Sequence, residues 1–282
     1  MRLGTVSQVW RYPVKSMLGE RLDSATLGAR GVPGDRGWAV CDVERGGVTN
    51  AKRLPVLRGC RARYLDEPRD GDAPPHVELT LPDGTRVTTA DPETPRRLSE
   101  AFGRSVTLES LGPEGSASAP RISSADDTPE VRRSLMGLAV GEPEADMSAF
   151  PGERLAELRK GTFFDAMPVH LLTTATLATL ARRAPESIWD QRRFRMNLLV
   201  DTGEADGYPE LEWIGRQVQI GTAVVELTDG CPRCVMVTQA VDELPKDPRL
   251  MRTLVRETQH IAGVYGTVTT PGRVDVGAVV TA

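Results

Sequence analysis

Cysteine and histidine are scarce in this 282-residue chain: the cysteines are Cys41, Cys60, Cys231 and Cys234, and the histidines are His76, His170 and His260. That scarcity excludes a disulfide scaffold, and the ligands left are too few and too scattered for a four-ligand structural zinc site. No window approaches about eighteen uninterrupted apolar residues, so no membrane-spanning helix is expected. The opening stretch, MRLGTVSQVWRYPVK, alternates polar and apolar residues and lacks the apolar run of a secretory leader. A cytoplasmic protein is expected, in which thiols stay reduced and two cysteines three positions apart point to chemistry before cross-linking. A strong charge of either sign is absent too: 35 Lys and Arg against 39 Asp and Glu leave a net charge of −4. The molecule as a whole offers no field for nucleic acid, and any anion it binds must be held by a local basic cluster.

What is present suits a soluble globular chain, with 39% hydrophobic and 26% charged residues. At roughly 150 residues per domain, the length suggests two domains. Short alternating runs at 5–9, 36–43, 76–81 and 86–89 read as strands separated by turns such as Gly31-Val-Pro-Gly34 and Leu81-Pro-Asp-Gly84. A helix is expected over 91–102, ended by Gly103, and then a strand at 106–108. From 112 to 157 Pro, Ser, Gly, Glu and Asp dominate, which reads as a linker or loose excursion. The remainder opens with a strand at 169–174 running into a helix that Thr173 or Thr174 can cap. Strands are expected at 194–201, 217–227 and 235–240, a helix at 248–259, and strands at 264–269 and 274–280. The fold class is mainly β with helices, an α+β chain divided at 1–111, 112–157 and 158–282.

The strongest chemical feature is Asp229-Gly-Cys231-Pro-Arg-Cys234, placed between two strand-like runs. A thioredoxin-type redox pair fits the spacing, but such a pair should open a helix and a strand is expected after it. Zinc lacks a second pair of ligands. Both cysteines could simply belong to a turn, and one thiolate could serve as a soft ligand to a metal that another group carries. The last option requires a bound cofactor. Lys15 and Ser16 follow the first strand, Arg36 follows a glycine-rich turn, and Gln191-Arg-Arg-Phe-Arg195-Met-Asn197 places Arg193 and Arg195 two apart at a strand start, facing the same way. Arginine suits bidentate capture of phosphate, and Ser, Thr and Asn add neutral hydrogen bonds.

In order, Tyr12-Pro-Val-Lys-Ser16, Gly31 through Trp38, Pro168-Val-His-Leu-Leu-Thr-Thr174, Arg193-Phe-Arg-Met-Asn197, Trp213-Ile-Gly215, Cys231-Pro-Arg-Cys234 and Gly272 through Gly277 resemble proteins with an N-terminal MOSC β-barrel domain followed by a MOSC β-barrel domain. The chain is similar to the amidoxime reducing components of that family. The resemblance implies a molybdenum cofactor lying between two β-rich domains, with Cys234 the metal ligand and the catalytic residue. It implies cofactor binding by Lys15, Ser16, Arg36, Thr173, Thr174, Arg195 and Asn197. Pyridoxal phosphate binding comes with the family description alone. The implied activity is reduction of hydroxylamines or amidoximes. The chain has neither a flavin fingerprint nor a cysteine cluster for iron–sulfur, so a separate electron-donor protein is implied, a flavin or iron–sulfur reductase. No general acid stands out. Met196 departs from the proline common in the family, and Cys231 matches no ligand position. Cys41, Cys60, Cys231, His170 and Trp213 are expected to serve packing. The rival readings are a cofactor carrier or sulfur-transfer protein using a Cys234 persulfide, and a thiol oxidoreductase using Cys231 with Cys234.

Overall fold

The first strand of the chain is built into a sheet made almost wholly by its second half. This is seen in a computed structural model, which describes residues 1–113, 128–130, 133 and 161–282; most of the stretch expected as a linker lies outside them. Strand β1 (Arg2–Arg11) pairs on one edge with β11 (Leu198–Asp201) and on the other with β16 (Val279–Thr281). Between these partners run β10 (Val169–Thr173), β14 (Ile261–Thr270), β13 (Ala223–Pro232) and β12 (Gln217–Ile220), and β12 returns to β16. Seven strands thus close a barrel, and β10 with β11 is its parallel pair. Closure gives each of these seven strands a partner on both sides. The interior holds Val6, Val9, Leu171, Leu198, Val225, Leu227, Val264 and Trp213, all buried.

The N-terminal half forms smaller antiparallel sheets. In one, β4 (Trp38–Asp42) lies between β5 (Gly47–Val48) and β9 (Val106–Ser110); in another, β7 (Val77–Thr80) lies between β6 (Arg61–Tyr64) and β8 (Arg86–Thr88). Helix α1 (Thr94–Phe102) ends at left-handed Gly103. Strand β2 (Glu20–Leu22) extends β1, and β3 (Ser24–Leu27) pairs with β15 (Gly272–Asp275), so the two halves exchange strands at both ends of the chain. Val14, Met17, Leu57, Leu79 and Leu98 form the core of this half. A third core lies outside the barrel beneath α2 (Thr174–Arg183) and α3 (Arg249–Thr258), built from Leu180, Phe194, Met196, Val237, Leu250 and Leu254. Thr173 caps α2 by accepting from the Thr176 amide at 3.2 Å, as its position before the helix predicts.

Three local expectations are corrected. Residues 235–240 form no strand: Val235–Thr238 is one 3₁₀ turn, closed by Val237 N donating to Cys234 O at 3.1 Å. The alternation of Val235 and Val237 has another cause, for Val237 enters the core beneath the helices while Met236 packs against the N-terminal core. The run 194–201 becomes a strand only at Leu198, because Gln191–Arg193 is a 3₁₀ turn and Arg195 is left-handed at φ 55°. Arg193 and Arg195 therefore do not share a face. Finally, β13 continues through Asp229-Gly-Cys231, which was expected to be a turn, and the hairpin lies earlier, at Gly221.

Candidate functional site

Where β1 ends, Tyr12 to Ser16 are latched onto the start of β4: Lys15 N donates to Trp38 O at 2.8 Å and Trp38 N to Pro13 O at 3.0 Å. The glycine-bearing turn before β4 is drawn to the same place. Arg36 N donates to Tyr12 O at 2.7 Å, and Tyr12 N donates to Asp35 Oδ1 at 2.8 Å. Gly31, at φ 85°, could not be replaced there, since a Cβ would stand 2.4 Å from Pro168 O. From the barrel side, the segment between the 3₁₀ turn and β11 delivers Arg195. The buried Tyr12 ring lies against two guanidinium groups, with Arg36 at 4.5 Å and Arg195 at 4.4 Å from its centroid. Tyr12 Oη donates to Met196 O at 3.2 Å, and burial pushes its pKa up to about 12, so it is a neutral spacer at pH 7.

Lys15 is 3% exposed; its Nζ donates to Phe163 O at 2.9 Å and pairs with Asp165. Arg36 pairs with the buried Asp35 and donates to Arg195 O at 3.3 Å. Arg233, between the two cysteines, donates to Phe194 O at 2.6 Å and to Cys231 Sγ at 2.7 Å. The four cations Lys15, Arg36, Arg195 and Arg233 lie with the carboxylates Asp35 and Asp165 in one electrostatically linked cluster. Desolvation opposes the charged form of Asp165, yet Lys15, then Arg36 and Arg195, hold it below the ordinary carboxylate range. Burial lowers Arg36, but Asp35, Tyr12 and Asp165 together outweigh it; Arg195, which lacks a paired carboxylate and faces Arg36, is pushed down by burial to about 10. Arg195 Nη2 and Arg233 Nε are buried with no hydrogen-bond partner among the described residues. Unsatisfied donors and a like-charge pair both favour an anion.

Backbone strain marks the same place. Six non-glycine residues among those described have positive φ, and Ser16 (70°), Arg36 (51°) and Arg195 (55°) are three of them. Such conformations cost of order 1–3 kcal/mol each and persist where the surroundings impose them, commonly at ligand sites.

Cys234 is half-buried in extended backbone at the head of the 3₁₀ turn, within electrostatic range of Arg233 and Cys231. A soft thiolate on a turn held between two cores is a suitable ligand for a soft metal. Cys231 is fully buried, and its desolvation raises the thiol pKa against the pull of Arg233. Cys41 and Cys60 are buried in the N-terminal half, their thiols pushed up by burial to about 11 and about 12.

The structure thus gathers Lys15, Ser16, Arg36 and Arg195, with Arg233 linking them to Cys234. It commits three other nominated residues elsewhere. Thr173 Oγ1 donates to the buried Glu210 at 2.6 Å while capping α2, and Thr174 Oγ1 donates to Asp201 at 3.2 Å. Thr173 lies three residues along β10 from His170, about 10 Å at strand rise. Asn197 Oδ1 accepts from His170 N at 3.1 Å, and its Nδ2 donates to Trp10 O at 3.3 Å and Asp35 Oδ2 at 3.0 Å. All of its hydrogen-bonding groups hold the barrel to Asp35, so it supports the cluster from behind. Tyr12, Asp35, Asp165 and Arg233 were missed. Tyr12, Asp35 and Arg233 lie within the motifs read from sequence, and only their contacts reveal what they do.

His170 packs against Tyr265 with ring centroids 5.6 Å apart, and burial, aided by Arg233, pushes its pKa well below the ordinary value. The unfolded chain takes up this proton near pH 6.5 and the folded chain does not, so stability falls as pH drops below that value. Burial of His260 acts in the same direction. The unfolding free energy from urea titration is expected to fall from pH 7.5 to 5.5, by up to about 1.4 kcal/mol per pH unit for each histidine. His170→Gln is expected to flatten that slope, and an unchanged slope would rule out this role for His170.

Comparison with known proteins identifies two family domains in the chain. The family model of the MOSC N-terminal beta barrel domain matches residues 3–107, and that of the MOSC domain matches residues 158–281. The chain is 27% identical over 241 residues to "Mitochondrial amidoxime reducing component 2" of Bos taurus, covering 84% of this chain and 67% of that protein. It is 25% identical over 297 residues to the Rattus norvegicus protein of the same name, covering 98% and 82%, and 28% identical over 250 residues to "Mitochondrial amidoxime-reducing component 1" of Homo sapiens, covering 84% and 66%.

Proposed function

The chain belongs to the MOSC family, with a MOSC N-terminal beta barrel domain followed by a MOSC domain, and on that premise we propose that it is a molybdenum cofactor-dependent reductase of N-hydroxylated compounds. The observation that carries this reading is the gathering of Arg36, Arg195 and Arg233 around Tyr12, with Lys15 three residues on and unpaired buried arginine donors, next to the thiol-bearing turn. Its relatives' name, amidoxime reducing component, supplies the substrate class.

The residues present fit the group. Arg195 and Arg36 would hold the cofactor's phosphate, with Ser16 and Lys15 lining the same strained loop, and Cys234 would ligate the metal. When bound, the cofactor supplies a metal that accepts an oxygen atom and cycles through two electrons. The protein contributes orientation and electrostatics. Asp35 and Asn197 set Arg36 from behind, and the Tyr12 ring packs against both guanidinium groups. Arg233 stands between the cysteines and donates to Cys231 Sγ at 2.7 Å. In the overall reaction the N–O bond breaks; two electrons and two protons give an amidine, or an amine, and water. A dithiol mechanism is less well supported, because the 3₁₀ turn after Cys234 gives no helix N-terminus and Cys231 is fully buried.

Chain produced in a host that makes the cofactor is expected to convert an aryl amidoxime to its amidine only when a separate flavin or iron–sulfur reductase is added. Product analysis by chromatography checks this. Equal turnover without any added electron donor protein would contradict the reading.

A further inference from the structure

Arg193 is buried at 2% exposure, which is rare for arginine, and it faces neither the cation cluster nor a carboxylate within hydrogen-bonding distance. Each of its three guanidinium nitrogens donates to backbone carbonyls. Nε donates to Ile188 O at 3.2 Å, Nη1 to Gln239 O at 2.8 Å and Val237 O at 3.4 Å, and Nη2 to Pro245 O at 2.8 Å. Three of these four acceptors lie in the chain that follows Cys234. A buried charge is tolerated only when its donors are satisfied, so this grip sets where that segment can lie.

The same segment is held from a second direction. Met236 packs against the N-terminal core, while its neighbour Val237 enters the core beneath α2 and α3. Arg192, next in sequence, reaches the loop from outside, with Nη2 on Glu243 at 2.7 Å and Nη1 on Asp242 at 3.3 Å. Glu243 is exposed, so its pair with Arg192 is screened by solvent and weak. The two adjacent arginines therefore divide the work: one is a surface clamp and the other is the internal anchor.

We propose that Arg193 is a positioning residue for Cys234: through the carbonyls of Val237, Gln239 and Pro245 it fixes the turn that presents the thiol, and it touches no ligand itself. The importance of that positioning rests on the reading of Cys234 as the metal ligand, but the grip is a property of the metal-free chain. Lysine at this site keeps the charge and loses the planar fork, so it can reach at most part of the carbonyl set.

The test is alkylation of the metal-free full chain by iodoacetamide, followed site by site by mass spectrometry well below the melting temperature of each variant. In Arg193→Lys the Cys234 rate is expected to rise about tenfold, as the lost charge-assisted hydrogen bonds allow local opening. Arg192→Gln should leave the rate within about twofold, since exposed pairs contribute little. The buried thiols of Cys41, Cys60 and Cys231 serve as internal references. A parental Cys234 rate in Arg193→Lys would overturn the proposal. So would equal acceleration at all four cysteines, which would make Arg193 a general stabiliser only. Arg193→Gln is the stronger change, and if it fails to fold, the lysine variant still decides. The molybdenum content of Cys234→Ser tests the ligand reading separately, so failure of one is distinguishable from failure of the other.

Discussion

Cys234→Ser is expected to lose more than about a hundredfold of amidoxime turnover, whereas Cys231→Ser keeps activity within about tenfold of the parent. Loss of a group supporting a metal ligand typically costs 10–100-fold, and loss of the sole protein ligand should exceed that. The asymmetry follows from placement. Cys231 is fully buried within β13 and accepts from Arg233, a role that a serine hydroxyl can partly fill. Cys234 is half-buried just past the strand, at the head of the turn. Steady-state turnover with the reductase in excess is the measurement. Equal losses in both variants would favour a dithiol reaction, and retained activity in Cys234→Ser would remove the metal-ligand role.

The second large effect concerns Arg195. Burial and the facing charge of Arg36 push its pKa down to about 10, so Arg195 is still charged at pH 7 and the fold bears the cost of that buried charge. A bound anion relieves the penalty. Inorganic pyrophosphate, as a probe of the metal-free chain, is therefore expected to raise the melting temperature by roughly 5 °C at saturating concentration. Arg195→Gln should lose most of that shift, weakening anion binding by about ten- to a hundredfold, because each hydrogen bond from a charged group contributes about 1.5–3 kcal/mol. Glutamine retains an amide that can donate to Met17 O, the present acceptor of Arg195 Nη1, so the fold itself should survive. Arg192→Gln is the control, a surface arginine away from Tyr12. A pyrophosphate shift unchanged in Arg195→Gln would show that the cluster around Tyr12 is not the anion site.

Much of the fold was legible because strand alternation and turn residues act locally. The capping Thr173, the helix end at Gly103 and the strand at β10 all follow from neighbours along the chain. Closure of the barrel by β1 was not legible: its pairing with β11 joins Thr5 to Asp201, and no local pattern encodes a partner so distant. The site divides in the same way. Lys15, Arg36 and Arg195 could be nominated from their motifs, but the left-handed backbone that aims the two arginines at Tyr12 follows from tertiary packing. Arg193 illustrates the limit best. Its spacing from Arg195 implied a shared face along a strand, and a single 3₁₀ turn sends it instead into the protein beneath the Cys234 segment.

The central claim is that one thiol, Cys234, joins the chain to a metal brought by an anionic cofactor held at the basic cluster. Elemental analysis of the parent, Cys231→Ser and Cys234→Ser proteins, purified from a host that makes the cofactor, tests it most directly. Molybdenum near one atom per chain in the first two and its loss from Cys234→Ser is the expected result; stoichiometric zinc without molybdenum in the parent, or full molybdenum retention in Cys234→Ser, would contradict the claim.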